Sequence, residues 1–397
     1  MNRKQFIILL VLVVVVGAAG LIVHQRGNAS WHSSGQTIGR KLLPDLPVND
    51  IAQIVIKSGT NELTLARSNN LWRVRERGDY PANFSQISGL LLKFADLKSA
   101  QGQEVEASQL GRFELLPPGA NTNSGTLVEF KDAAGKTLNS VLLGKQHMKK
   151  PPANSRTVGM GDAGWPDGRY LLVGSDTKTL QLVSDPLDSA QPKPETWMSK
   201  DFFSVEKPVS ITVQYPEATN SWQLTRASET NDWQLAGAKS DEKLDSSKVS
   251  DVTSPFNSPT FNDVLPASTK PEAAGMTNVT TVKIGTIDGF TYNIRIGQKR
   301  DEEYPMAVSV AANLPASRVA NADEKPEDKA KLDADFKDRQ KKLDDKLAGE
   351  KQLGNWIYSV PAFAVDPILV SRNQLLTEVE TETNTPAQVD TNAPAEK

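Results

Sequence analysis

A pattern of alternating apolar and polar residues, repeated at long range, runs through this chain. In residues 51–74 the alternation occurs twice, first around Ile54 and then around Leu63, and the stretch closes on Trp72. A period of two is typical of half-buried β-strands. The stretch therefore predicts a β-hairpin followed by a third strand that begins near the tryptophan.

The same order of apolar positions returns in residues 209–235. The corresponding positions are Ile54 and Ile211, Trp72 and Trp233, and, at the end of a later predicted hairpin, Gly144 and Gly297. A repeat at this distance predicts two domains of one kind. The offset between the copies drifts by a few residues, which is typical of a duplicated domain with altered loops.

The clearest predicted helix covers residues 83–99. Its apolar residues fall at helical spacing on one face: Phe84, Ile87, Leu90, Leu91, Phe94 and Leu97. The other face is polar, so we expect the helix to lie across one face of a sheet, with Asn83 or Ser85 as its N-cap. A shorter helix, near residues 245–253, is predicted at the corresponding place in the second copy.

The N-terminus carries an unbroken apolar run, Phe6 to Val23, directly after Arg3 and Lys4. As a helix this run would span about 27 Å, close to the ~30 Å hydrocarbon core of a bilayer. The positive charges before it predict that the N-terminus stays in the cytoplasm and that the rest of the chain is exported. The alternative interpretation is a cleaved signal peptide with its cleavage site near Gly17.

Residues 321–352 form a charged insertion in the second copy. Its apolar residues recur at i, i+4, i+11 and i+15, and they are Leu332, Phe336, Leu343 and Leu347. This spacing predicts a narrow apolar stripe along a charged helix. The helix is either packed loosely on its own domain or an arm that pairs with another helix, and the four residues are the candidate partner-facing site.

Composition limits the chemistry that the chain can perform. The absence of cysteine excludes disulfides, thiolate metal sites and a cysteine nucleophile, and the formal net charge of −3 does not suggest nucleic acid. The three histidines, His24, His32 and His147, lack metal-ligand spacing. A G-x-G-x-x-G match at 159–164 is followed by Trp-Pro, which cannot open a helix there. We therefore predict no enzyme activity, no cofactor and no metal site.

The order of several short segments resembles the bacterial family called domain of unknown function 4340. The segments are Leu42-Leu43 through Ile56, Leu71-Trp72, Tyr80-Pro81-Ala82, Leu90 to Lys98, Leu110-Gly111-Arg112-Phe113, Gly135 with Leu142-Leu143-Gly144, Gly168-Arg169-Tyr170 and Trp197 to Phe203. As two copies, the resemblance covers most of Leu42 to Leu376. It implies one N-terminal membrane helix, a large extracytoplasmic part, and genes often adjacent to an ABC-type transporter and its gliding-motility-type auxiliary subunit. No catalytic residue comes with this resemblance.

Together these features predict an α+β fold. Two related domains, each a mainly antiparallel β-sheet with one amphipathic helix packed on it, would follow a single N-terminal transmembrane helix. The predicted parts are a cytoplasmic N-terminus (1–5), a signal anchor (6–23), a tether (24–40), a first domain (41–200), a second domain (201–376) with the charged insertion (321–352), and a disordered acidic tail (377–397).

The function expected from these features is that of a non-enzymatic, membrane-anchored scaffold or accessory protein. We expect it in the bacterial inner membrane, with its bulk in the periplasm. Its expected partners are the lipid bilayer, through Phe6–Val23, and transmembrane or auxiliary subunits of an ABC-type transporter. One alternative is a module that binds an envelope glycan or small ligand in a cleft between the two domains. Another is an enzyme built on carboxylates alone.

Overall fold

A computed structural model describes most of the chain as two compact units that meet between Lys200 and Asp201. The described residues are 38–119, 121–149, 164–266, 268–319 and 324–377. Each unit is built on one β-sheet, and every strand pairing in both sheets is antiparallel.

In the described part of the first unit, nine strands form one sheet in the order β4-β3-β2-β1-β6-β7-β8-β9-β5. Along the chain they are β1 (Gln53–Ser58), β2 (Asn61–Ser68), β3 (Leu71–Val74), β4 (Tyr80–Pro81), β5 (Gln101–Glu104), β6 (Thr126–Lys131), β7 (Thr137–Lys149), β8 (Trp165–Val173) and β9 (Thr179–Val183). The predicted hairpin is β1–β2, in which Ile56 lies opposite Leu63, and Trp72 lies on the predicted third strand.

One face of this sheet is covered by helix α1 (Phe84–Ala95). Asn83 caps the helix, because its side chain accepts a hydrogen bond from a first-turn backbone N–H at 3.2 Å. The helix side chains that are buried are Ile87, Leu90, Leu91 and Phe94. The Phe94 ring meets the edge of Phe130 at a centroid distance of 5.1 Å. Phe84 was predicted on this face, but it is 65% exposed.

The opposite face of the first sheet is covered at one end by residues 105–116. This segment contains a 3₁₀ turn, Ala107–Phe113. A second apolar cluster forms beneath it from Val105, Leu110, Leu115, Leu172 and Leu180. The first sheet therefore has apolar contacts on both faces, and only one of them involves an α-helix.

In the described part of the second unit, eight strands form a sheet in the order β12-β11-β10-β14-β15-β16-β17-β13. Along the chain they are β10 (Pro208–Gln214), β11 (Trp222–Thr225), β12 (Gln234–Leu235), β13 (Asp263–Val264), β14 (Thr280–Thr286), β15 (Phe290–Ile296), β16 (Glu303–Ala312) and β17 (Tyr358–Pro361). The remaining helices are α2 (Pro194–Trp197) in the first unit, and α3 (Ser246–Thr253) and α4 (Pro326–Gln352) in the second.

The two sheets have the same strand order when the two-residue strand β4 is set aside. Strands β1, β2 and β3 correspond to β10, β11 and β12, and β6 to β9 correspond to β14 to β17. Along the chain, helix α1 comes between the third strand and the edge strand β5, and helix α3 comes between the third strand and the edge strand β13. The units differ most between their last two strands, where residues 174–178 form a turn in the first and residues 313–357, with α4, replace it in the second.

Gly144 and Gly297 occupy equivalent positions where a crossing segment passes close to the strand. A Cβ atom on Gly144 would overlap the Phe113 carbonyl oxygen, and one on Gly297 would lie 2.5 Å from the Gly275 carbonyl oxygen. Neither approach leaves room for a side chain, so only glycine fits without moving backbone. The glycine repeated in the sequence therefore marks the same close approach in both units.

The described units are mainly antiparallel β with few helices, because 3₁₀ turns and loops, rather than further α-helices, make up most connections between strands. This architecture is broadly compatible with the predicted α+β class. The second unit carries both the short helix α3 and the long helix α4.

The predicted transmembrane helix is where the predicted fold class is wrong. No helix within the described residues is both long enough and apolar enough to cross a membrane. Helix α4 has the length, but more than half of its residues are charged. The predicted anchor Phe6–Val23 lies outside the described residues, as do most of the predicted tether and the tail beyond Thr377.

Candidate functional site: a groove beside helix α3

A groove of about 630 Å³ lies beside α3 in the second unit. Helix α3 contributes Lys248, Asp251 and Val252, the loop after it contributes Ser254, Pro255, Ser258, Pro259 and Thr260, and the segment after β17 contributes Phe363, Ala364, Pro367 and Val370. The volume falls within the roughly 300–1,000 Å³ of typical ligand pockets. Its walls combine prolines and an aromatic ring with a few hydroxyl and charged groups.

Helix α3 forms one wall because its apolar residues face the sheet. Asp245 caps it, since the side chain accepts hydrogen bonds from the backbone N–H groups of Ser247 and Lys248. Val249 and Val252 are buried beneath the helix. This orientation leaves the outer residues of the helix, one cation and one carboxylate among them, to line the groove.

The opposite wall is a pair of 3₁₀ turns, Ala362–Ala364 and Asp366–Ile368. A 3₁₀ helix repeats every three residues, so every third side chain faces the same way. The buried side chains here follow that spacing: Ala362, Val365 and Ile368. Phe363 points away from them and is 76% exposed. A large aromatic ring therefore stands at the edge of the groove on a backbone that is anchored beneath it.

Three side-chain hydrogen bonds tie this wall to the sheet. Trp222 Nε1 and the Tyr215 hydroxyl donate to the Val370 carbonyl oxygen at 2.7 and 3.0 Å, and the Tyr304 hydroxyl donates to Asp366 at 2.6 Å. Burial raises the pKa of Tyr215 to about 12, and burial together with the bond to Asp366 raises the pKa of Tyr304. Both phenols therefore keep their protons near neutral pH, and the wall is preorganised.

The residues that line the groove carry one cation, Lys248, and one carboxylate. The groove contains a single carboxylate, Asp251, so it lacks the pair of acidic groups that general acid–base hydrolysis uses. Within the described residues, no cluster of three or more metal-ligating side chains occurs. An apolar segment that fills the groove would contact Phe363 and the prolines, and its polar groups could reach the hydroxyls at the rim.

The predicted partner-facing residues lie elsewhere, on α4. They are Leu332, which is 40% exposed, and Phe336, Leu343 and Leu347, which are half-buried. Phe336 and Leu343 line a cavity of about 210 Å³ together with Ile287, Leu314 and Pro315 of the same unit. Much of the apolar stripe therefore faces its own unit, and Leu332 is its most exposed member.

The C-terminal end of α4 is held by a buried polar cluster that the sequence pattern did not reveal. Glu350 accepts a hydrogen bond from the Ser204 backbone N–H at 3.1 Å, and its other oxygen lies 2.9 Å from the Tyr292 hydroxyl. Lys346 donates to the Ser204 carbonyl at 2.9 Å and pairs with Glu206 at 2.7 Å. Burial raises the pKa of Glu350, although these hydrogen bonds oppose the rise.

Trp72, Trp222 and Trp233 lie at strand-alternating positions of the sequence, and the first two are core residues. Trp72 and Trp222 are buried, and Trp222 also holds the groove wall through its ring N–H. Trp233 is half-buried, with the Arg226 guanidinium 4.6 Å from its ring centre. The two buried rings therefore offer no exposed face on which a sugar could stack.

The groove itself could not be found from sequence periodicity. Its walls come from residues 248–260 and 363–370, which are more than 100 positions apart. The sequence features that could have indicated the groove are Pro255, Pro259 and Pro367, together with Phe363, which belongs to no helical or strand pattern. Such a cluster is equally typical of an ordinary loop.

Comparison with known proteins identifies a family but no individual relative. A family model described as "Domain of unknown function (DUF4340)" matches residues 72–279, just over half of the chain. The match runs from β3 in the first unit to the loop before β14 in the second, and it includes α3 with the loop beside it. A search of curated proteins found no match, and neither did a search of solved structures. The chain belongs to the family of domain of unknown function 4340.

Proposed function

We propose that this protein is a non-enzymatic scaffold or accessory protein of the cell envelope, and that a protein partner docks in the groove beside α3. The observation that supports this proposal is the exposed Phe363 ring on a wall that three hydrogen bonds hold in place. Aromatic side chains in preformed pockets are the residues that most often dominate interface energetics. Burying this one ring would contribute about 2 kcal/mol.

Preorganisation makes the groove a better docking site than its area alone suggests. Binding costs free energy when a loop must be ordered. Here Ala362, Val365 and Ile368 are already buried, and Val370 already accepts two hydrogen bonds. A partner would therefore meet a surface that needs little rearrangement.

The sequence resemblance supports the class of partner. It implies an ABC-type transporter and its auxiliary subunit, so we propose a subunit of such a complex as the occupant of the groove. We also propose that the two units are copies of one ancestral domain, which their common strand order and equivalent glycines support. The extracytoplasmic location stays a prediction that fractionation of the full-length chain would test.

Recovery of partners by a tagged full-length protein tests the groove. We expect Phe363→Ser to reduce co-purifying protein about tenfold, since it removes about 1.4 kcal/mol or more of binding free energy. The mutated side chain is largely exposed, so the unfolding midpoint should not change. Leu71→Ser is the matched control, because Leu71 is another exposed apolar residue and lies on β3 of the first unit. Equal recovery by the Phe363 variant and the wild type would overturn the docking site.

A small-ligand module is the second candidate, supported by the volume of the same groove. It predicts saturable binding of one envelope oligosaccharide or short peptide by the full-length chain, and loss of that binding in Phe363→Ser. The buried Trp72 and Trp222 give no support to sugar stacking. A chain that purifies alone and binds such a ligand would favour this candidate over the scaffold.

The partner-facing role of Leu332, Phe336, Leu343 and Leu347 stays a prediction. Phe336 and Leu343 already pack against their own unit. We therefore place the proposed docking site at the groove and not along α4.

A further inference from the structure

A cavity of about 150 Å³ lies in the first unit beside strand β9. Three apolar residues contribute carbon surface to it, and they are Leu42, Pro44 and Val173. Its polar lining residues are Arg40, Lys41, Ser99, Asp176, Thr179 and Gln181. Because the volume is about half of the roughly 300 Å³ at which drug-sized pockets begin, a ligand that fills it must be small.

Ser99 and Gln181 form a buried polar pair in the lining of this cavity. They are 2% and 8% exposed, and the Ser99 hydroxyl donates to Gln181 Oε1 at 2.6 Å. The Nε2 atom of the same amide has no acceptor among the residues that the structure describes, yet it is not fully enclosed. The N–H groups of this nearly buried amide are therefore open to the cavity, where they can donate to a bound ligand.

The second unit carries a different residue at the position of Gln181. Leu171 and Met306 are equivalent, because each lies opposite the residue that precedes one of the two equivalent glycines. Gln181 lies opposite Leu171, and Tyr358 lies opposite Met306. A fully buried aromatic ring therefore occupies, in the second unit, the place that the amide occupies in the first.

The partner of this residue differs in the same way. Ser99 comes three residues before the β5 residue that lies opposite Gln181, and Phe261 comes three residues before the β13 residue that lies opposite Tyr358. The Phe261 and Tyr358 rings pack at a centroid distance of 5.1 Å. The fold thus accepts an aromatic pair here, and a buried polar group costs free energy unless it is hydrogen-bonded. The open amide and its cavity are therefore not required by the packing of the sheet.

The charged groups around the cavity favour an anion. Arg40 is exposed, and its guanidinium has no partner within the described part of the chain. Lys41 is held by Asp96 at 2.8 Å. The carboxylate of Asp176 accepts two backbone N–H bonds within its own turn, at 2.8 and 3.1 Å. The groups left open are therefore hydrogen-bond donors, the Arg40 guanidinium and the Gln181 amide.

We propose that this cavity binds a small carboxylate anion. The Arg40 guanidinium and the Gln181 amide donate to the two carboxylate oxygens, and Leu42 and Pro44 contact the carbon atoms of the ligand. A guanidinium matches a planar carboxylate with paired, charge-assisted hydrogen bonds. Inorganic phosphate has no carbon atoms to place against the apolar lining. The site is independent of the docking groove, which lies in the second unit.

A ligand-observed NMR titration of the purified full-length chain with sodium propionate tests the site. We expect saturable binding that Arg40→Gln weakens about tenfold, because the variant loses a charge-assisted pair of hydrogen bonds. Arg112→Gln is the matched control and should leave the affinity unchanged. Arg112 is another exposed arginine of the first unit, and it does not line this cavity.

The double variant Ser99→Ala/Gln181→Met tests the amide. Both members of the buried pair become apolar, in the manner of the second unit, and such paired replacements are nearly neutral for stability or stabilising. We therefore expect about tenfold weaker propionate binding with an unchanged or higher unfolding midpoint. A purely structural role for the pair would instead lower the midpoint and leave the affinity of the folded chain unchanged.

Three results would overturn the carboxylate site. One is a wild-type chain that shows no saturable binding of propionate up to about 100 mM. Another is equal affinity of the wild type and Arg40→Gln for propionate. The third is tighter binding of inorganic phosphate than of propionate, which would show that the apolar lining makes no contribution.

Discussion

The two units share a strand order but differ in what connects equivalent strands. Between β8 and β9, the first unit has a turn of residues 174–178. Between the equivalent strands β16 and β17, the second unit has residues 313–357 with the long helix α4. Long insertions at a surface turn cost little loop entropy, since the cost grows only with the logarithm of length. The sheets of the two units are thus alike while the connections differ, and binding surfaces commonly arise on connections.

The same comparison holds for the surfaces beside the equivalent helices. A groove runs along α1 in the first unit and along α3 in the second. The segment after the last strand is tied to the sheet in both units, by Arg169 to the Pro186 carbonyl at 3.2 Å and by Tyr304 to Asp366 at 2.6 Å. Within the described residues, only the second unit adds an exposed aromatic to that segment, so we assign the proposed partner to its groove.

The largest loss of stability is expected from substitutions at the equivalent glycines, which the two units share. Gly144→Ala and Gly297→Ala should each lower the free energy of unfolding by about 3 kcal/mol, because the new methyl group displaces a backbone carbonyl. Urea denaturation, followed for each variant, measures this loss. Gly349→Ala is the control: its Cβ would meet no atom within 4 Å, and it should be neutral or slightly stabilising. A change below about 0.5 kcal/mol at either equivalent glycine would show that the crossing segment can move freely.

A smaller effect, specific to the second unit, is expected at Glu350. The Glu350→Ala variant should lose about 2 kcal/mol, because it leaves the Ser204 N–H without its acceptor. Burial raises the folded-state pKa of Glu350 above its usual value of 4.5. Its contribution to stability is therefore full below pH 4.5 and is lost as the pH rises through the raised pKa.

Urea unfolding as a function of pH measures this dependence. Glu350→Gln keeps the shape of the side chain but cannot ionise, so its stability should match the wild type in acid and exceed it near neutral pH. Parallel pH profiles for the wild type and Glu350→Gln would contradict the raised pKa.

The smallest effect is expected at Glu242, which is paired with Arg372 at 2.6 Å near the start of α3. The hydrogen bond from Arg372 lowers the pKa of Glu242 to about 2. Because this pKa is depressed, the pair contributes stability above the usual value of 4.5 and loses it as the pH falls through about 2. Glu242→Gln should therefore be slightly less stable than the wild type at neutral pH and equal to it in strong acid. A difference that persists well below pH 2 would argue against this assignment.

Local periodicity was sufficient for much of the secondary structure. The β1–β2 hairpin, the cap and core face of α1, and the burial of Trp72 and Trp222 agree with the sequence pattern. Each depends on side-chain spacing within a short stretch, where the alternation of apolar residues directly sets which face is buried.

Periodicity did not predict which segments pack against a given side chain. Phe84 belongs to the helical pattern of α1, yet it is exposed. The pattern on α4 left open whether its apolar stripe packs on its own unit, where Phe336 and Leu343 lie. Glu350 sits within a densely charged helix, yet it is buried. The spacing of apolar residues shows which face of an element is apolar. It does not show which segment packs against that face.

The amino-acid sequence was enough to establish the family resemblance, the repeated order of strands and the glycines that the repeat shares. The groove beside α3, the preorganised Phe363 and the exposure of Phe84 became visible only in three dimensions. The reason is physical: strand and helix patterns are set by neighbours within a few residues, whereas a groove needs walls such as Val252 and Val370 that meet only after the chain has folded.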